Sequence, residues 1–182
     1  MAETIKQKKH KQILLDLFSD DSKKVSKAIK ALEVNGTSES IKPLADKLLT
    51  NPDEKIKSAI IELLSSLKDS SVCVEIIDVI NDEKYLPIRQ QILSSIWNTK
   101  VDFSNYIDEF VEIAITGSFM ETLDCLTIIE NLEGPFMEED ILECQLHLKN
   151  YMESNSPKDE QKSQFLSEIA IAIKDINENL ID

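Results

Sequence analysis

The feature that most constrains this chain is a repeated apolar register. Take Val25, Ile56, Ile88 and Phe119 as zero points; they lie 31, 32 and 31 residues apart. At minus 12, minus 8, plus 3, plus 4 and plus 7 from Val25 stand Ile13, Leu17, Ala28, Ile29 and Leu32, and from Ile56 stand Leu44, Leu48, Ala59, Ile60 and Leu63. From Ile88 the series is Ile76, Ile80, Gln91, Ile92 and Ser95, and from Phe119 it is Ile107, Val111, Thr122, Leu123 and Leu126. Steps of three and four define one face of an α-helix, so each copy is a pair of amphipathic helices whose apolar faces must meet. A fixed period of this length is the mark of a stacked repeat architecture.

The punctuation agrees. With only 3 Gly and 5 Pro in 182 residues, a β-sandwich or barrel has too few turn residues, and an all-α chain is expected. Gly36, Gly117 and Gly134 follow or separate apolar runs as helix C-caps, while Asn51-Pro52, Leu86-Pro87 and Ser156-Pro157 place proline where a first helical turn tolerates it. Pro43 lies inside a run and predicts an early bend. The spacing predicts helices over 4–18, 21–34, 38–50, 52–67, 70–81, 86–98, 103–116, 118–131, 136–153 and 157–180. Short connections make these five hairpins in one domain, 1–182: 4–34, 38–67, 70–98, 103–131 and a longer, unregistered capping hairpin, 136–180. Gln91 and Ser95 stand where the first copy has Ala28 and Leu32 and the second Ala59 and Leu63, so the third hairpin is expected to be the softest of the inner four.

The segments LLDLFSDDSKKVSKAIKAL (14–32) and DKLLTNPDEKIKSAIIELL (46–64) resemble the HEAT repeat, armadillo-like family. Asn51-Pro52 with Ile56-Lys57, and Pro87 with Ile88-Arg89, match its turn pattern best; Val25-Ser26 and Phe119-Met120 depart from it, so the family's stacked Asp/Arg ladder is mostly missing. The resemblance covers roughly residues 5–131. It implies a right-handed α-solenoid and a non-enzymatic adaptor, scaffold or regulatory module that binds a partner on its concave face. The enzymatic alternative it also implies is a bilin-lyase-like or DNA-glycosylase-like protein, the latter needing a basic concave face.

Charge argues against nucleic acid and membrane partners. The chain has 20 Lys and Arg against 34 Asp and Glu, a net of −14, and residues 92–182 hold 5 basic and 19 acidic side chains, hence the whole excess. The opening MAETIKQKKH lacks an apolar segment, and no run nears the roughly 18 apolar residues of a spanning helix, so neither signal peptide nor span is expected. Cys73, Cys125 and Cys144 read as buried thiols of a reducing, cytoplasmic compartment.

Catalytic material is scarce. No glycine-rich phosphate loop exists, and Cys144 with His147, one turn apart, lacks further ligands for a metal, so no catalytic residue, metal or cofactor is expected. Glu138, Glu139, Asp140 and Glu143 suit a helix N-terminus, where the dipole favours carboxylates. Lys6, Lys8, Lys9, His10 and Lys11 suit a solvated terminal helix.

One row remains. At plus 2, plus 5 and plus 9 of each second helix stand Lys27, Lys30 and Val34; Ser58, Ile61 and Ser65; Gln90, Leu93 and Trp97; and Glu121, Asp124 and Ile128. These positions face away from the first helix. An apolar stripe of Ile61, Leu93, Trp97 and Ile128 with an acidic end at Glu121 and Asp124 is the expected partner site, suited to a peptide with apolar anchors and basic flanks. The alternative is that neighbouring repeats or the long last helix cover these residues.

Overall fold

A computed structural model describes residues 4–50, 53–97, 99–154 and 159–181. They form α1 (Ile5–Leu17), α2 (Ser22–Asn35), α3 (Ile41–Thr50), α4 (Glu54–Ser65), α5 (Cys73–Asn81), α6 (Leu86–Ile96), α7 (Ile107–Thr116), α8 (Phe119–Glu130), α9 (Glu138–Glu153) and α10 (Glu160–Ile181). No strand occurs among the described residues, so the chain is all-helical there, with each helix within a few residues of the predicted one. The turns expected at Asn51-Pro52 and Ser156-Pro157 lie outside the described residues.

Local chemistry sets the boundaries. Asp21, Asp53 and Ser118 accept backbone N–H groups of Lys23, Lys55 and Glu121 at the starts of α2, α4 and α8, answering donors that a helix cannot satisfy itself. Four helices are approached through 3-10 turns, at Ser38–Ser40, Ser70–Val72, Glu83–Tyr85 and Ser104–Tyr106. The short Asp and Ser side chains explain several of these, as where Asp69 accepts from Ser71 N–H and Asp102 from the N–H and hydroxyl of Ser104. The run holding Pro43 is interrupted early, since the chain changes from 3-10 to α at Ile41, and Pro43 falls in the first α turn, where a missing N–H is tolerated. Gly36 and Gly117 are C-caps with extended backbone, and Gly134 (φ 79°) alone among the described residues needs the left-handed region.

The chain divides into two compact units, Met1–Ser95 with Thr99–Val101 and Ile96–Asn98 with Asp102–Asp182. In the first unit α1 packs on α2, α2 on α4, and α3 on both α4 and α5. The register residues make its core: Leu17, Val25, Ile29, Leu44, Leu48, Ile56, Ile60, Ile76, Ile80, Ile88 and Ile92 are all buried. Successive hairpins are tied by polar groups that the repeat pattern did not announce. Asp46 on α3 accepts from Lys84 Nζ and from the hydroxyl of buried Tyr85 at 2.8 Å, and Lys42 Nζ is 2.8 Å from Asp78 Oδ2 on α5. Burial, and then the bond to Asp46, raise the Tyr85 pKa.

The softness expected of the third hairpin loses its ground. Ser95 is buried but donates to Ile92 O at 2.7 Å, and Gln91 is only half-buried, so no enclosed amide is left without a partner there.

In the second unit α7 packs on α8 and α9, and α10 packs on α8 and α9, so one helical hairpin covers the other. Phe103 meets Phe110 edge-on at 5.8 Å, and Phe119 lies 5.2 Å from Phe165. Lys162 on α10 reaches back to donate to Ile115 O and Gly117 O, at 2.6 Å each, closing the C-terminal end of α7.

Candidate functional site

The second-helix row divides between solvent and core. Lys27, Lys30, Val34 and Ser58 are exposed, and Ile61 on α4 and Gln90 on α6 are half-buried. Trp97, just past α6, is 42% exposed. Leu93 has no exposed surface, and Glu121, Asp124 and Ile128 are buried. The expectation of an exposed apolar stripe with an acidic end is thereby corrected at four of its six residues.

Two physical reasons account for this. Leu93 is one residue from Ile92 and three from Ile96, both enclosed, so the buried arc of α6 is wider than the single stripe the register defines. On α8 both α7 and the 22-residue α10 pack, with Phe165 of α10 against Phe119; Phe119 and Leu123 end half-buried, while Glu121, Thr122, Asp124, Cys125, Leu126, Ile128 and Ile129 are enclosed. Glu121 also acts within its own helix, where its carboxylate accepts Ser118 N–H at 2.6 Å and completes a capping box. Its charge favours the ammonium of Lys162 as well, against the burial that lowers the Lys162 pKa.

The acidic segment of α9 stands where the helix dipole favours it, with Glu138, Glu139 and Asp140 in the first turn. Burial raises the Asp140 pKa, and Asp108, Glu139 and Glu143 add to the rise. A carboxyl whose folded pKa exceeds the ordinary 3.8 opposes folding at neutral pH, and the opposition fades as pH falls through the folded value. Asp140→Asn should therefore raise the melting temperature at pH 7, and the gain should vanish below pH 3.8. Thermal melts across that range check it; an unchanged or lower melting temperature at pH 7 would mean that the dipole outweighs burial and repulsion.

Cys144 is buried, and burial, followed by Asp108 and Asp140, pushes its thiol up to about 12, so it is no thiolate nucleophile at neutral pH. His147 Nε2 lies 3.8 Å from Glu143 Oε1 on the half-exposed side of α9. Among the described residues no group of three His, Cys, Asp or Glu is placed to hold a metal ion. Along α1 a groove of about 540 Å³ is lined by Lys6, His10, Lys11, Leu14 and Thr37, and both ring nitrogens of His10 are enclosed without a hydrogen-bond partner. Lys9 Nζ donates to Asn35 Oδ1 at 3.1 Å.

Apolar surface that the register did not flag lies on the last hairpin. Leu142 and Leu146 on α9 are 52% and 56% exposed, and Ile171 on α10 is 60% exposed. Their signal was present in the sequence, because apolar residues at 141, 142, 144, 146 and 148 span too wide an arc for a helix buried on one side.

Compared with models of protein families, with curated proteins and with solved structures, the chain matches none of them. No described helix is long and apolar enough to cross a membrane.

Proposed function

We propose that this chain is a HEAT-like protein-interaction module, a right-handed α-solenoid of five hairpins without catalytic activity of its own, which works in the cytoplasm. The observation that carries the reading is the recurrent way helices pack: within the first unit α2 meets α4 and α3 meets α5, and within the second α7 meets α9 and α8 meets α10. In these four pairs a helix packs on the one two places ahead, as stacking of like hairpins requires. Three buried thiols without a disulfide suit a reducing compartment. The partner is a protein or peptide with apolar anchors and basic flanks, since residues 92–182 carry the whole net charge of −14. That charge disfavours nucleic acid. Of the expected stripe Ile61, Leu93, Trp97 and Ile128, Trp97 and Ile61 retain solvent contact and remain available as anchors.

Affinity capture on the immobilised chain tests the reading. A basic protein should be retained at about 0.15 M salt and released at about 1 M, where exposed charges are screened within a few ångströms. Trp97→Asp should weaken capture without moving the melting temperature if Trp97 is an anchor. Retention no greater than on the heat-unfolded chain would sink the reading.

A further inference from the structure

The hairpin α9–α10 packs on α7 and α8 with one side and leaves the other to solvent, yet the free side is not polar. Leu142 and Leu146 stand one turn apart on α9, and further along the same hairpin a groove of about 510 Å³ has apolar walls from Leu148, Met152, Ala170 and Ile173 and a polar edge of Gln145, Lys149, Glu153 and Lys174. Exposed apolar residues gathered on one side of a helical hairpin mark an interaction surface. Around Leu142 and Leu146, α9 carries the exposed carboxylates Glu138, Glu139, Glu143 and Glu153. The nearby cations do not balance them. Lys149 is 4.0 Å from Glu153, Lys174 is 3.6 Å from Glu178, and Lys162 is turned to the carbonyls of α7.

We infer that this side of α9–α10 docks an amphipathic helix of a partner protein, with apolar residues against Leu142, Leu146 and the groove, and with lysines or arginines toward Glu139 and Glu143. The inference rests on the protein-interaction reading and gives it a second surface, besides the anchors Trp97 and Ile61. A helix laid in a groove presents anchors three and four residues apart, which matches the one-turn spacing of the two leucines. A second copy of this chain is the less favoured occupant, because it would bring the same carboxylates to face one another.

The test uses the full chain and a fluorescent 18-residue helical peptide of leucine and lysine in amphipathic spacing, with its leucine–glutamate counterpart as control. Anisotropy titration should show saturable binding of the lysine peptide and none of the glutamate peptide. The double substitution Leu142→Gln and Leu146→Gln, which keeps charge and helix propensity, should weaken binding at least tenfold with the melting temperature unchanged. Glu139→Gln with Glu143→Gln should flatten the salt dependence. Equal binding of both peptides, or undiminished binding by the leucine variant, overturns the inference. So does sedimentation of the chain as a dimer that the leucine variant disrupts. If the captured basic protein still binds the leucine variant normally, the surface assignment fails while the interaction reading stands; if nothing is captured, the reading itself fails.

Discussion

Leu93→Asp should unfold the protein, and Trp97→Asp, one helical turn further on, should not. Leu93 has no exposed surface, so the substitution removes a packed aliphatic side chain and encloses an unpaired carboxylate. The lost burial alone is worth about 2–5 kcal/mol, and a desolvated charge adds to it, which places the change among the rare substitutions above about 4 kcal/mol. At about 2–4 °C per kcal/mol for a chain of this size, the melting temperature should fall by more than about 10 °C, or the cooperative transition should vanish. Trp97 is 42% exposed, and its substitution should stay within about 1 kcal/mol. Thermal melts followed by circular dichroism measure both. A native melting temperature for Leu93→Asp would restore Leu93 to a solvent-facing row.

Lys162→Met should destabilise the second unit by about 3 kcal/mol, since hydrogen bonds from a charged group contribute about 1.5–3 kcal/mol each and the two are made by one ammonium. Methionine keeps the unbranched stem and removes only the donors. What is lost is the closure of α7: Ile115 O and Gly117 O each accept from Lys162 Nζ at 2.6 Å, at the end of a helix whose dipole favours a cation. Lys162→Arg should recover much of the loss. A methionine variant that unfolds at the native denaturant midpoint would show that water serves the two carbonyls as well as lysine does.

The architecture was readable because apolar periodicity and capping residues are local. Asp21, Asp53 and Ser118 sit at helix starts for reasons contained within three residues, and Ile60 or Ile76 must be buried wherever its helix packs. The candidate site was legible only in part, because which side of a helix meets solvent depends on what else packs there. The plus 2, plus 5 and plus 9 positions are expected to be free of the first helix in every copy, but those of α8 are buried in a unit where α10 also packs on that helix, and nothing within the spacing of Glu121, Asp124 and Ile128 announces their burial. Lys162 was unreadable for the same reason, since its partners are more than forty residues away. Asp46, Lys84 and Tyr85 likewise meet only after two hairpins have stacked.

The three enclosed cysteines give the chain a built-in chemical clock. Cys73 belongs to the first unit, and Cys125 and Cys144 to the second. A thiol reagent that cannot reach any of them in the closed protein reports, by the order and rate at which each becomes labelled, how often each unit opens. No foreign probe need be introduced, so the two units can be timed separately in the unmodified molecule.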